Sequence, residues 1–124
     1  MTKQILSTPS APAALGPYSV AVESNGLVFF SGQIALDSDG NPAGSTAAQA
    51  QQVMEQIGGL LADVGLSYGD IVKATIFLAD MGDFAAVNEV YGAFFGSEPP
   101  ARSAVEVAAL PKGAAVEIET IATR

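Results

Sequence analysis

Cysteine, histidine and tryptophan are all missing from this 124-residue sequence, and the first two absences remove whole classes of chemistry. Without cysteine there is no disulfide and no thiolate nucleophile. Without histidine there is no Ser-His-Asp triad and no imidazole base, and zinc sites built on either residue are excluded. Basic side chains are scarce as well. Lys3, Lys73, Arg102, Lys112 and Arg124 stand against 13 carboxylates, giving a net charge of -8 and a pI near 4.1. They form no cluster, so the sequence offers no surface for a phosphate backbone or an anionic membrane, and no nucleic-acid partner is expected. No apolar run approaches the roughly 18 residues of a membrane span, and the N-terminus lacks the basic-then-apolar pattern of a signal peptide; a cytoplasmic protein is the expectation. Charged residues make up 15% of the chain and hydrophobic ones 49%, against about 25% charged in an ordinary soluble domain. In so short a chain that balance points to apolar surface hidden between subunits.

What is present reads as one domain over residues 1–124, with no linker and no repeat. Lys3 to Leu6 is a short first strand, and Ser7 to Ala14 an extended Pro/Ala/Ser connection. Tyr18 to Glu23 and Leu27 to Ser31 flank Ser24-Asn25-Gly26, a hairpin signal. Asp37 to Asn41 has the look of a calcium loop, but Ala48 stands where the bidentate glutamate belongs, so the segment is read as a turn. From Thr46 to Val64, Ala50, Val53, Met54, Ile57, Leu60, Leu61 and Val64 recur at helical spacing, with Ser45 or Thr46 as cap and Gly65 as terminator. Gly58-Gly59 inside that helix suggests close packing on a strand. Ile71 to Leu78 reads as a central strand covered on both faces. Asp83 is placed to cap a second helix whose stripe of Phe84, Val87, Tyr91, Phe94 and Phe95 is core, interrupted by Asn88. Val105 to Leu110 and Val116 to Ile121, joined by Pro-Lys-Gly, read as a final hairpin. The fold class is α+β, a mixed six-stranded sheet with two helices on one face.

Few side chains are candidates for chemistry. Apart from the C-terminal residue, Arg102 is the one arginine, and it has two readings: a structural ion pair, or a fork that grips a ligand carboxylate through two parallel hydrogen bonds. Glu117, between Val116 and Ile118 on a strand, could order a water or carry a proton. Gly32, following Ser31 within a strand, marks a bulge or a close approach to the backbone. Tyr18, just after Gly16-Pro17, could line a pocket at a strand start, and Asn88 needs hydrogen-bond partners at the edge of an apolar stripe. If the last hairpin turns at Lys112-Gly113, Arg102 and Glu117 lie about 20 Å apart along it. A complete site would then need a second subunit.

The block from Pro100-Ala101-Arg102-Ser103 through Leu110-Pro111-Lys112-Gly113 to Val116-Glu117-Ile118-Glu119 closely resembles the signature of the RidA family, formerly YjgF, the reactive-intermediate deaminases. Leu15 to Ser19, Phe30 to Gln33, Gly69 to Lys73 and Asp83-Phe84 through Val87-Asn88 are similar to further family blocks in family order, so the resemblance spans nearly the whole chain. It implies a chorismate-mutase-like fold, a homotrimer with sites in clefts between subunits, and hydrolysis of 2-imino acids derived from 2-aminoacrylate-type enamines to 2-keto acids and ammonia, without cofactor or metal. On that reading Arg102 anchors the substrate carboxylate, Glu117 orients or activates water, Ser31 and Gly32 contact the bound acid through backbone, and Tyr18 and Asn88 shape the polar wall. Ala104 departs from the cysteine that several members carry there, which is expected to change pocket polarity and leave activity in place. Two other readings remain. A 2-keto-acid binder without turnover would use the same Arg102, and the resemblance also admits a ribonuclease or translation inhibitor, against which the acidic charge, missing histidine and absent basic patch count.

Overall fold

The computed structural model describes residues 2–124. The elements are β1 (Gln4–Ile5), β2 (Ala21–Ser24), β3 (Leu27–Gln33), α1 (Thr46–Asp63), β4 (Ile71–Leu78), α2 (Phe84–Gly92), β5 (Ala101–Glu106) and β6 (Val116–Thr123). β2 and β3 turn through Asn25 and Gly26, both at positive φ, as a primed two-residue hairpin requires. Ser45 caps α1 by accepting the Ala48 N–H at 3.1 Å, and Gly65, at φ +81, ends it. The Asp37 carboxylate accepts the N–H groups of Asp39 and Asn41, which makes the calcium-like segment an Asx turn. Asp83 does not cap α2 with its side chain; it accepts from the Thr46 hydroxyl at 2.9 Å and so ties the starts of the two helices together. No helix among the described residues is long and apolar enough to cross a membrane.

The six strands form one mixed sheet in the order β1-β2-β3-β6-β4-β5. The expected final hairpin is not formed. β4 lies between its two halves, parallel to β5 and antiparallel to β6. The physical reason is competition for the most apolar strand: β4 offers two edges, α2 returns the chain to one as a β-α-β crossover, and β6 takes the other. The strand expected over Val105 to Leu110 accordingly begins earlier, at Ala101, and ends after Glu106, well short of Leu110.

The core sits on one face of this sheet. Val28 and Phe30 of β3, Ala74, Ile76 and Leu78 of β4, and Val116, Ile118 and Ala122 of β6 pack there with Val53, Met54, Ile57, Leu60 and Leu61 of α1 and Val87 of α2. Contrary to the sequence expectation, β4 is covered on this face alone within the chain. Val72 is exposed, and Phe29 and Val105 are exposed on the open face along with Leu27. The open face thus carries apolar side chains beside Glu117 and Glu119.

The glycine pair of α1 does not pack on a strand. Gly58 receives the Tyr68 side chain, whose hydroxyl donates to the Met54 carbonyl at 2.7 Å, and Gly59 faces Ser10. A Cβ at Gly58 would collide with the Tyr68 hydroxyl and lie 2.8 Å from its Cζ. Alanine would raise helix propensity by roughly 1 kcal/mol, yet the ring cannot withdraw without losing its hydrogen bond and its packing against Phe94, 5.2 Å away between centroids. Gly58→Ala is therefore expected to destabilise the fold by about 1–3 kcal/mol, whereas Gly92→Ala, with open space around the new methyl, should stabilise it slightly. Urea unfolding of the two variants side by side checks this.

Candidate functional site

Arg102 stands on β5, the outer strand, level with Ala74 of β4 and therefore on the helix side of the sheet. There it meets one stripe of α2. Its Nη1 donates to Asn88 Oδ1, and its Cζ lies 5.3 Å from the centroid of the Phe84 ring and 5.2 Å from that of Tyr91. Among the described residues no carboxylate pairs with it; the one ion pair there joins Arg124 to Glu23 at 3.0 Å. Of the two readings of Arg102, the structural ion pair is thus not realised, and the guanidinium faces a recess of about 320 Å³ lined by Tyr91, Pro99 and Pro100. Ala104, one step along the same face of β5, is half-buried against the core.

Glu117 belongs to the opposite face. On β6 it pairs with Phe77 of β4, whose side chain points away from the helices, and next to it the β3–β6 register slips between Phe30 and Gln33. This slip is the bulge expected at Ser31-Gly32. The bulge is pinned from behind, because the Ser31 hydroxyl donates to the Ser19 carbonyl at 2.7 Å and its N–H to the Val20 carbonyl at 2.8 Å. Gly32 then gives the glutamate its room. A Cβ there would strike the Glu117 carboxylate, 2.9 Å from Cδ and 3.1 Å from Cγ. Partial burial pushes the Glu117 carboxyl above its usual range, and the charge of Glu119 on the same face adds to this.

The candidates therefore fall into two half-sites. Arg102 and Asn88 meet on the helix side, and Glu117, Gly32 and Ser31 on the open side. Tyr18, 54% exposed ahead of β2, lines with Gly32, Gln33 and Lys112 a groove of about 1010 Å³ that runs under the Ser10 to Leu15 segment. Measured on the ladder, the partners of Arg102 and Glu117 on β4, Ala74 and Phe77, are three residues apart, not the six of the hairpin reading. The separation that matters is the sheet itself, which stands between the two side chains. The sequence reading missed Phe84 and Tyr91 as neighbours of Arg102; their spacing from Asn88, four residues before and three after, was the available signal. It also missed Lys112, which lines the groove from a left-handed backbone conformation at φ 60.

Comparison with known proteins places the chain in context. The family model described as endoribonuclease L-PSP matches residues 8–124. The protein DfrA of Myxococcus xanthus is 48% identical over 98% of this chain and 96% of its own length. The mouse protein named 2-iminobutanoate/2-iminopropanoate deaminase is 43% identical over 98% of this chain and 92% of its own. Among solved structures, RidA from an Antarctic Psychrobacter superposes with a TM-score of 0.90 at 44% identity, covering 98% of this chain and 99% of that one. Escherichia coli TdcF with bound serine gives 0.89 at 42% identity, covering 98% of each chain. Sequence and fold agree, and the chain belongs to the RidA (YjgF) family, the family of the endoribonuclease L-PSP model.

Proposed function

We propose that this protein hydrolyses reactive 2-imino acids to 2-keto acids and ammonia, at a site completed by a neighbouring copy of the chain in a cytoplasmic homotrimer. The observation that carries the reading is the division of the site. An arginine without a carboxylate partner lies on one face of the sheet, and a glutamate whose carboxyl is pushed up by burial lies on the other. Each is half of what an imino acid needs, and one chain keeps them apart. The exposed apolar residues on the open face, Phe29 and Val105 among them, supply the kind of surface that a neighbour would cover.

The chemistry asks little beyond positioning. The protonated imine carbon is already electrophilic. Arg102 holds the carboxylate by its planar fork, and Glu117 takes a proton from the attacking water as the C–O bond forms. The same carboxyl then returns the proton to nitrogen. The C–N bond breaks, and the hydroxyl gives its proton to the again ionised Glu117, which passes it to the departing ammonia, leaving the 2-keto acid and ammonium. Water supplies the oxygen, and neither oxidant nor cofactor enters the balance. Backbone at Ser31 and Gly32, with Tyr18 beside the groove, borders the reacting carbon.

The test generates imines in situ with an amino-acid oxidase and lets semicarbazide compete for them, following keto-acid release. Acceleration by the wild type supports the deaminase. No acceleration across several amino-acid precursors, combined with saturable binding of pyruvate, would instead make the protein a keto-acid binder. Sedimentation at three times the 12.6 kDa chain mass checks the assembly. Gly32→Ala is a further check: the added methyl displaces the Glu117 carboxylate, and turnover should fall about 100-fold in a protein that still folds, since the clash is with the end of a flexible side chain.

A further inference from the structure

The way Arg102 is held differs from the usual way a protein holds an arginine. A carboxylate partner would fix the guanidinium but occupy its fork and cancel its charge. Here the fixing is done by α2 through groups that do neither. Asn88 Oδ1 takes a single Nη1 proton, and Phe84 and Tyr91 lie within 5.3 Å and 5.2 Å of Cζ. Aromatic faces attract a cation through the ring quadrupole and accept no conventional hydrogen bond from it. Of the five N–H donors of a guanidinium, Asn88 engages one.

The three residues sit four and three positions apart along α2 and so form one stripe. Tyr91 is 4% exposed, and its hydroxyl is buried with no hydrogen-bond partner among the described residues. The ring, not the hydroxyl, is what Tyr91 contributes to this contact. Pro99 and Pro100, just before β5, close the recess on the other side. Proline there fixes the backbone path that delivers Arg102 to α2.

We propose that Phe84 and Tyr91 are positioning residues for substrate binding, a π cradle on α2 that immobilises the Arg102 guanidinium with its fork unoccupied and its charge intact. The role rests on the deaminase reading for its substrate, a small 2-imino or 2-keto acid, but the cradle itself does not. Ordering an arginine side chain costs rotamer freedom, and the cradle meets that cost before the substrate arrives.

The chain contains only two arginines, Arg102 and Arg124, so an NMR spectrum of the Nε–Hε groups holds two side-chain signals and the Arg102→Ala spectrum assigns them. In the wild type, the Arg102 signal is expected to be shifted upfield by two ring currents, while Arg124, whose Nε–H donates to the Glu23 carboxylate at 3.0 Å, lies downfield for its own reason, so the shift is read by comparing variants. Phe84→Leu or Tyr91→Leu should move the Arg102 signal back downfield, and Tyr91→Phe, which restores the ring, should return it upfield. For imine hydrolysis each leucine variant should raise KM about two- to five-fold, with the pyruvate Kd following and kcat little changed. Tyr91→Phe should recover most of the loss in KM. Should Tyr91→Leu fail to fold, Phe84→Leu, at a half-buried position, carries the same test.

An Arg102 signal that stays in place in both Phe84→Leu and Tyr91→Leu would overturn the cradle. So would leucine variants that leave KM and the pyruvate Kd unchanged, or that lower kcat in step with stability. A wild type with the ring-shifted signal that neither turns over imines nor binds pyruvate would sink the deaminase reading and leave the cradle standing.

Discussion

Replacing Arg102 by alanine is expected to lower kcat/KM for 2-imino acids about a thousandfold in a protein that still folds. The size follows from what is removed. A fork-to-carboxylate contact makes two charge-assisted hydrogen bonds of about 1.5–3 kcal/mol each, and every 1.4 kcal/mol is tenfold. The small cost to the fold follows from the same geometry. Arg102 is exposed on the outer strand and its hydrogen-bond partner is Asn88, itself exposed, so stability should change by less than about 1 kcal/mol. Arg102→Lys separates charge from shape. A lysine keeps the positive charge but offers no planar fork, so it should recover part of the loss and stay at least about tenfold below wild type. The semicarbazide competition assay reads the rates and urea unfolding the stability. If Arg102→Ala turns over imino acids at the wild-type rate, the carboxylate anchor lies elsewhere and the division of the site loses its meaning.

That division is also where the sequence stopped being legible. Local signals were reliable where a local cause dominates. Asn25-Gly26 forms its hairpin, Ser45 caps α1, Gly65 ends it, and the Ser31-Gly32 bulge falls where a glycine interrupts a strand. Periodicity gave α1 its buried stripe, and the signature block located Arg102 and Glu117. Strand pairing is different in kind. Whether β5 pairs with β6 or with β4 depends on which edges remain when the whole sheet assembles, and no residue in Val107 to Ala115 announces it. The hairpin reading put both candidate residues on one ribbon. In the sheet, β4 separates the two strands, and the pleat sends Arg102 to the helices and Glu117 to the open face. Phe84 and Tyr91 were read as core, and Tyr91 is, yet each also turns a ring toward Arg102. A spacing pattern cannot distinguish a ring that packs on leucine from one that packs on a guanidinium. The Gly58 pocket for Tyr68 was out of reach for a similar reason, since its partner comes from a turn ten residues later.

Glu117→Gln should have two opposite effects, and their opposition is the sharpest test of the proposed base. In the fold, burial and the neighbouring charge of Glu119 hold the Glu117 carboxyl above its ordinary range. The native state therefore retains a proton on this group where the unfolded chain has lost it. The sign follows: the stabilising balance is fully present below the unfolded pKa, about 4.3 for a glutamate, and is lost as pH rises through the higher native value. At neutral pH the ionised side chain weighs against folding. Glu117→Gln removes that burden, so the variant should unfold at higher urea than wild type at pH 7 and converge with it near pH 4. Turnover should move the other way. In the proposed mechanism the ionised carboxylate is the base, so wild-type kcat/KM should fall as pH drops through the raised native pKa, above the range of an ordinary carboxylate. Glutamine accepts no proton, and kcat should fall about 10²–10⁴-fold with the acid limb of the profile abolished. A variant that is more stable at neutral pH but retains the wild-type rate and pH profile would show that the buried charge at Glu117 is a cost the protein carries for some reason other than catalysis. Loss of rate together with loss of the limb ties the instability to the chemistry, since desolvation that weakens the fold also makes the carboxylate a stronger base.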